Sequence, residues 1–307
     1  MNSSFSRRAL GFGIVAALLF GTHAVVARFL TGDLHGLQIA VLRLWIASAI
    51  LLLILKARGL NVFPIRFDRF KLVAILGFVL NYAVFHIGLE RTSATNAMVL
   101  ENTAPFFVLL LLAGAGIERV RLIDIVATLL VMSGVFLTVR HDFDPGATGS
   151  FGDILMIAAG FTWALFIIGS SRCVQNTEAP GERLQLLFQV LLCSAVILTP
   201  GFFLYPFSPT AEDMFWLVFL AVFPTAFGYF LWYEAMAGVS TVTSALLFVL
   251  SVVFTFINAA IFLGEPLTLD IVLGGALVII AVILPSLFSA GKEPDLPETD
   301  ERGSSDP

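Results

Sequence analysis

Charged side chains are scarce in this 307-residue sequence: Asp, Glu, Lys and Arg make up 13% of the residues, and hydrophobic residues make up 58%. A soluble domain contains about 25% charged and about 45–50% apolar residues. Apolar runs of about 20 residues recur from end to end, and each is long enough for a helix to cross a bilayer. The composition predicts an all-α, polytopic membrane protein that contacts membrane lipids and binds no nucleic acid.

The sequence also lacks the patterns of metal centres and of common catalytic sites. Cys173 and Cys193 have neither CxxC spacing nor His neighbours, so no metal, cofactor or disulfide framework is expected. It contains no HExxH pair and no GxxxxGK[ST] loop, and the four His are scattered. We therefore expect neither an enzyme nor a nucleotide-driven pump. An intramembrane enzyme and a non-transporting sensor or scaffold are kept as alternatives.

Ten apolar segments are predicted to span the membrane. They cover about residues 9–29, 36–56, 70–89, 94–114, 121–139, 152–172, 184–205, 214–236, 241–263 and 270–288. The connections between them are short, except at 57–69, 140–151 and 172–183. Residues 289–307 carry six acidic side chains and little to bury, which predicts a disordered, acidic cytoplasmic tail.

The positions of Lys and Arg predict the orientation, because these residues accumulate in cytoplasmic connections. With a cytoplasmic N-terminus, thirteen of the 17 Lys and Arg fall on the cytoplasmic side. Only Arg28, Arg91 and Arg140 fall on the opposite side, and Arg43 lies within a span. Both termini are therefore predicted to face the cytoplasm. Short connections and the absence of an organellar address favour a bacterial cytoplasmic (inner) membrane.

The two halves of the chain are similar to each other at a nearly constant shift. A shift of 147 residues places Tyr82 on Tyr229 and Glu118 on Glu265, and one residue of slippage then places Asp124 on Asp270. The repeats would be 9–139 and 152–288, with five helices each. Because five is odd, the second repeat is inverted in the membrane. Inverted repeats are a common architecture of secondary transporters, with the substrate held between them.

Two stretches, 88–137 and 228–284, resemble the EamA-type repeats of the drug/metabolite transporter superfamily. The shared features are a Ser/Thr-rich turn between helices, Pro105 in the fourth span, and Gly264-Glu265 at the close of the ninth. The second repeat departs from the first in having Ser251-Val252 at the position of Pro105. The resemblance implies an exporter or facilitator of amino acids, metabolites or toxic compounds.

Several polar and aromatic side chains lie inside the predicted spans. Arg43 and Glu101 each lie seven residues below the start of their helices, which is about 10 Å at a rise of about 1.5 Å per residue. The candidate residues for a substrate cavity are Glu101, Arg43, His23, Asn81, Tyr82, Asn102, Trp163 and Tyr229. Ionisable groups at such depth are candidates for function, although aromatic and amide side chains there also serve simply to pack helices together.

Two interpretations of Arg43 and Glu101 are open. They could form a structural ion pair between the second and fourth spans, in which each charge shields the other. Alternatively, Glu101 could exchange a proton during transport, with Arg43 as its counter-ion or as the anchor of a substrate carboxylate. The expected function is alternating-access export of small metabolites, above all amino acids, including aromatic or amphipathic ones. The oligomeric state is left open, and a monomer is compatible with the sequence.

Overall fold

The computed structural model describes residues 3–27, 29–30, 34–63, 65–89, 91–92, 94–140, 150–177 and 179–289. Regular secondary structure in these ranges is helical throughout. The helices are α1 (Ser3–Ala27), α2 (Gly36–Ala57), α3 (Arg69–Leu89), α4 (Ala94–Glu101), α5 (Ala104–Ala115), α6 (Leu122–Val139), α7 (Ser150–Gln175), α8 (Pro180–Phe202), α9 (Ala211–Leu220), a π-helical segment (Ala221–Gly228), α10 (Tyr229–Met236), α11 (Thr241–Leu263) and α12 (Leu269–Ser289).

Eight helical segments within the described ranges are long and apolar enough to cross a membrane. They are Gly36–Ala57, Arg69–Gly88, Asn96–Ala115, Leu122–Val139, Phe151–Gln175, Pro180–Phe202, Ala211–Met236 and Thr241–Leu263, with Leu269–Pro285 as a shorter apolar helix. The protein is therefore a polytopic helical membrane protein. The connection expected at 172–183 is shorter than predicted, because α7 continues to Gln175 and α8 begins at Pro180. The tail expected at 289–307 lies almost wholly outside the described residues.

The fourth predicted span is interrupted between α4 and α5. Pro105, in the first turn of α5, has no N–H to donate to the preceding turn. Local side chains satisfy carbonyl groups beside the break: Asn102 Nδ2 donates to Met98 O at 2.7 Å, and Thr103 Oγ1 donates to Leu100 O at 2.6 Å. The interruption places Glu101 at the end of α4, directly before the break.

The eighth predicted span contains a second irregularity, the π-helical segment that joins α9 to α10. Pro224 lies inside this segment. Thr225 Oγ1 donates to Leu220 O at 2.7 Å, a side-chain bond that reaches back five residues. Single π-helical turns often occur at functional sites. Here the segment turns Thr225 toward the interior, where its side chain is fully buried.

The main helix contacts join the first part of the chain to the second. Helix α1 packs on α10 and α11, α7 packs on α3, α4 and α5, α2 packs on α8, and α6 packs on α12. The α6–α12 contact is close, since a Cβ added to Gly134 would lie 2.7 Å from Gly274 O. Arg140 and Asp270 form an ion pair at 2.9 Å at one end of the same contact. These contacts enclose an interior space that several helices line.

Candidate substrate cavity

A cavity of about 1370 Å³ lies inside the bundle. It reaches Leu30 and Leu34, between α1 and α2, and the 264–268 connection between α11 and α12. We call this end of the bundle the open end. The cavity wall includes all eight side chains that the sequence suggested: His23, Arg43, Asn81, Tyr82, Glu101, Asn102, Trp163 and Tyr229.

Arg43, on α2, forms the most extensive polar contacts in the cavity wall. Its Nε and Nη2 atoms donate to Thr225 Oγ1 at 3.1 and 2.9 Å. Its Nη1 atom contacts His23 Nε2 at 2.5 Å. A guanidinium has donors only, so His23 Nε2 must accept, which requires a neutral imidazole with its proton on Nδ1. Three helical segments thus meet at one guanidinium group.

Glu101 is the last residue of α4, at the helix break, and its side chain is half-buried. Its carboxyl group interacts with the Asn81 side chain on α3, which also donates from Nδ2 to Ala159 O at 2.9 Å. Among the described residues no ion pair links Glu101 to Arg43. The ion pair, one of the two interpretations left open for these residues, is therefore not formed here: the two side chains lie on the same cavity wall, but Arg43 is held by neutral groups.

Aromatic rings form a further part of the wall. Trp163 and Phe248 have ring centroids 4.7 Å apart, and Phe20 and Tyr229 have centroids 5.1 Å apart. Trp163 is 4% exposed, and its indole Nε1 has no hydrogen-bond partner in the described part of the chain. The phenol groups of Tyr82 and Tyr229 interact with each other. The cavity therefore combines a large apolar surface with a few polar groups.

The residues of this site that sequence reasoning missed include Thr225, Phe20 and Phe248. Thr225 directly follows Pro224, which was a signal for an irregular helix but not for a partner of Arg43. Phe248 occupies the repeat position of Glu101, so its place in the wall could have been inferred from the 147-residue shift. Phe20 carried no signal among the thirty Phe of the chain.

The opposite end of the bundle is closed by polar contacts. Ser170 Oγ and Tyr233 OH are 3.0 Å apart, and Ser171 Oγ and Thr241 Oγ1 are 3.1 Å apart. A bidentate ion pair joins α8 to α10: Arg183 Nε and Nη2 lie 2.9 and 2.8 Å from the carboxylate oxygens of Glu234. We call this end the closed end. The side chains named here are buried, except that of Glu234.

Comparison with known families matches two ranges of the chain, 7–140 and 150–287, to the EamA-like transporter family. The chain belongs to this family. This confirms the resemblance to EamA-type members of the drug/metabolite transporter superfamily, and the protein is a multi-pass membrane transporter.

Relatives of this EamA-like transporter include an uncharacterized transporter of Archaeoglobus fulgidus, 29% identical over 70% of this chain and 74% of the relative. The uncharacterized transporter YyaM of Bacillus subtilis is 24% identical over 90% and 92% of the two chains. A solved crystal structure shares the fold, with a TM-score of 0.77 and 19% identity over 92% of this chain and 97% of the other.

Proposed function

We propose that this protein is a secondary transporter that moves small metabolites, above all amino acids, out across the bacterial cytoplasmic membrane by alternating access. The observation that carries the proposal is the cavity itself: about 1370 Å³ within a bundle of membrane-spanning helices, open at one end and closed at the other. Its volume exceeds the roughly 300–1,000 Å³ of typical small-molecule sites. Its wall offers Arg43, Glu101 and several aromatic rings to a solute.

The proposal includes ten spans in two inverted repeats, 9–139 and 152–288. When α4–α5 and α9–α10 are each counted as one interrupted span, the described residues form ten spans. The family matches at 7–140 and 150–287 support this division. The contacts of α1 with α10 and α11, and of α7 with α3, α4 and α5, are those that exchange of the two repeats would produce.

A pair of glycine contacts gives the repeat further support. A Cβ added to Gly13, on α1, would lie 2.6 Å from Leu247 on α11. A Cβ added to Gly160, on α7, would lie 3.2 Å from Leu100 O on α4. Gly13 and Gly160 are 147 residues apart, and so are Leu100 and Leu247. The same shift therefore relates both partners of two separate contacts.

The distribution of Lys and Arg supports cytoplasmic termini, since positively charged connections stay in the cytoplasm. In that orientation the open end faces away from the cytoplasm, and the structure is an outward-facing state. Export then requires the closed end to open. At the closed end, α7 contacts α11. The repeat equivalent of this contact would join α1 to α4 at the open end, and among the residues described no comparable contact joins them.

Glu101 is the residue we assign to proton coupling. It is an acidic side chain inside a span, and its neighbour Asn81 is neutral. Because no direct ion pair with Arg43 fixes it as a carboxylate, protonation does not require a salt bridge to break. Ionisable residues within membrane spans commonly form proton relays and solute pathways.

Counterflow in proteoliposomes tests the proposal. Purified protein is reconstituted into liposomes loaded with one unlabelled amino acid, and uptake of the labelled form is followed for a panel of amino acids. Saturable uptake that depends on the internal solute is expected for at least one of them. The absence of saturable flux for every solute in either direction would count against a transporter of this class. Protein-free liposomes provide the control.

A further inference from the structure

We propose that the transported solute carries an anionic group, most simply a carboxylate, that binds the guanidinium of Arg43 beside the aromatic wall. This inference rests on the proposed transport function and names the class of solute that the cavity takes. It follows from the surroundings of Arg43, from the donors that its partners leave unused, and from the chemistry of the neighbouring side chains.

Among the residues that the structure describes, the buried cation Arg43 has no anionic partner. Arg43 is 7% exposed, and the hydrogen-bond partners of its side chain are the hydroxyl of Thr225 and the imidazole of His23. Within the described ranges, no carboxylate lies within ion-pair distance of it. A buried charge is normally paired, because an uncompensated one is expensive to keep out of water. A solute anion would supply the missing charge.

The guanidinium keeps donors for such an anion. It has five N–H groups, and the contacts with Thr225 and His23 engage Nε, Nη1 and Nη2 once each. Each Nη therefore retains one further N–H. Two N–H groups of one guanidinium form the bidentate arrangement by which Arg recognises carboxylates. The surroundings of Arg43 thus leave it able to bind a carboxylate in this way.

Thr225 and His23 act as positioning residues for Arg43. The Thr225 hydroxyl accepts from two Arg43 nitrogens and donates its own proton to Leu220 O, which fixes its orientation toward Arg43. The His23 contact restrains the third nitrogen. A long, flexible side chain is thereby held in one orientation before solute arrives, which lowers the ordering cost of binding.

The rest of the cavity indicates what else the solute carries. Trp163, Tyr229 and Phe248 present aromatic surface in the same space, and Glu101 lies on the same wall. An apolar or aromatic side chain would contact the rings, and an ammonium group would pair with Glu101. An aromatic amino acid such as phenylalanine combines all three features and is the probe we choose.

The experiment compares three competitors against labelled phenylalanine, in counterflow and in equilibrium binding to the detergent-solubilised protein. Phenylalanine keeps both charges, 3-phenylpropanoate keeps only the carboxylate, and phenylalaninamide keeps only the ammonium. Both carboxylates are expected to compete at least about tenfold better than the amide. The reason is that a hydrogen bond to a charged group typically contributes more free energy than a tenfold change in affinity requires. Equal competition by the amide would overturn the inference.

Variants assign the effect to Arg43. Arg43→Gln should remove the preference for carboxylates, and Arg43→Lys should restore part of it. Thr225→Val should raise KM for phenylalanine about tenfold with a smaller change in kcat, because it removes the hydroxyl that accepts hydrogen bonds from the charged guanidinium of Arg43. Thr225→Ser should restore KM. Arg69→Gln, an exposed guanidinium at the start of α3, is the control and should leave the preference unchanged.

Failure of this inference differs from failure of the transport proposal. If only uncharged or cationic solutes showed saturable flux, the protein would still be a transporter, but the anion site at Arg43 would be ruled out. Retention of the carboxylate preference in Arg43→Gln would also overturn the inference. Absence of all flux together with absence of binding by both carboxylates would overturn both proposals.

Discussion

Substitution of Gly160 by Ala should disturb the break between α4 and α5, because α7 and the break are in direct contact there. The added Cβ would lie 2.7 Å from Thr103 Oγ1 and 2.9 Å from Glu101 O, whereas ordinary contacts begin at 3.4 Å. The Thr103 hydroxyl can rotate away, but the Glu101 carbonyl is backbone. The break must therefore move from α7 by several tenths of an ångström. Overpacking of this kind costs about 1–3 kcal/mol of stability.

The assay is thermal unfolding in detergent together with counterflow in liposomes. Gly160→Ala should unfold at a lower temperature than the unsubstituted protein and should alter transport, because Glu101 moves with the break. Gly114→Ala is the matched control: it lies in α5, and a Cβ there would meet no atom within 4 Å. That control should be neutral or stabilising by about 0.5–1 kcal/mol. If Gly160→Ala were as stable and as active as Gly114→Ala, the described contact would be wrong.

Two further predictions concern the closed end and the cavity wall. Arg183→Gln should lower stability by up to about 3–5 kcal/mol, because it leaves the Glu234 side chain, which is 10% exposed, without its cation; thermal unfolding measures the loss, and replacing both residues by Met should recover most of it. An unchanged melting temperature in the single variant would contradict the importance of this pair. Glu101→Gln should abolish the pH dependence of transport, measured as flux between pH 5 and 8, and an unchanged profile would rule out Glu101 as the proton-coupling residue.

The positions of the helices were largely predictable from the sequence. The predicted second span, 36–56, agrees with α2 (Gly36–Ala57) to within one residue. The agreement is close because the length of an apolar helix in a membrane protein must match the thickness of the bilayer. The fourth span was predicted as one segment, 94–114, and its interruption between α4 and α5, beside Pro105, was not predicted. Pro224 signalled a bend, but no pattern in the sequence indicated a π-helical segment or the inward position of Thr225.

The shared cavity of these residues was also predictable, but their partners were not. Arg43 and Glu101 were matched because they lie equally far from the helix starts. Depth does not specify how a helix is rotated about its axis, and that rotation brings Arg43 to Thr225, which is 182 residues away in the chain. Equal depth therefore left both interpretations of Arg43 and Glu101 open, and only the rotation of the helices shows that they form no ion pair. Aromatic residues such as Phe248 are abundant in membrane helices, so composition alone does not single them out.

The difference between the two predicted repeats bears on transport. Arg43 corresponds to Gln189, and Glu101 corresponds to Phe248. Gln189 accepts a hydrogen bond from Lys71 at 2.8 Å, and Phe248 packs on Trp163 in the cavity wall. The charged pair of groups in the first repeat thus has no equivalent in the second. A solute anion would meet its binding partner in the first repeat only, which makes the two directions of passage chemically unequal.

A reversible cross-link at the closed end tests alternating access most directly. Ser171 Oγ and Thr241 Oγ1 are 3.1 Å apart, and both side chains are short, so cysteines at these positions should reach disulfide geometry. The pair Ser171→Cys and Thr241→Cys is introduced after Cys173 and Cys193 are replaced by Ala, and each single cysteine variant serves as a control. Alternating access predicts that the oxidised protein loses counterflow and that reduction restores it. Full counterflow by protein that is completely cross-linked would contradict a mechanism in which this end must open.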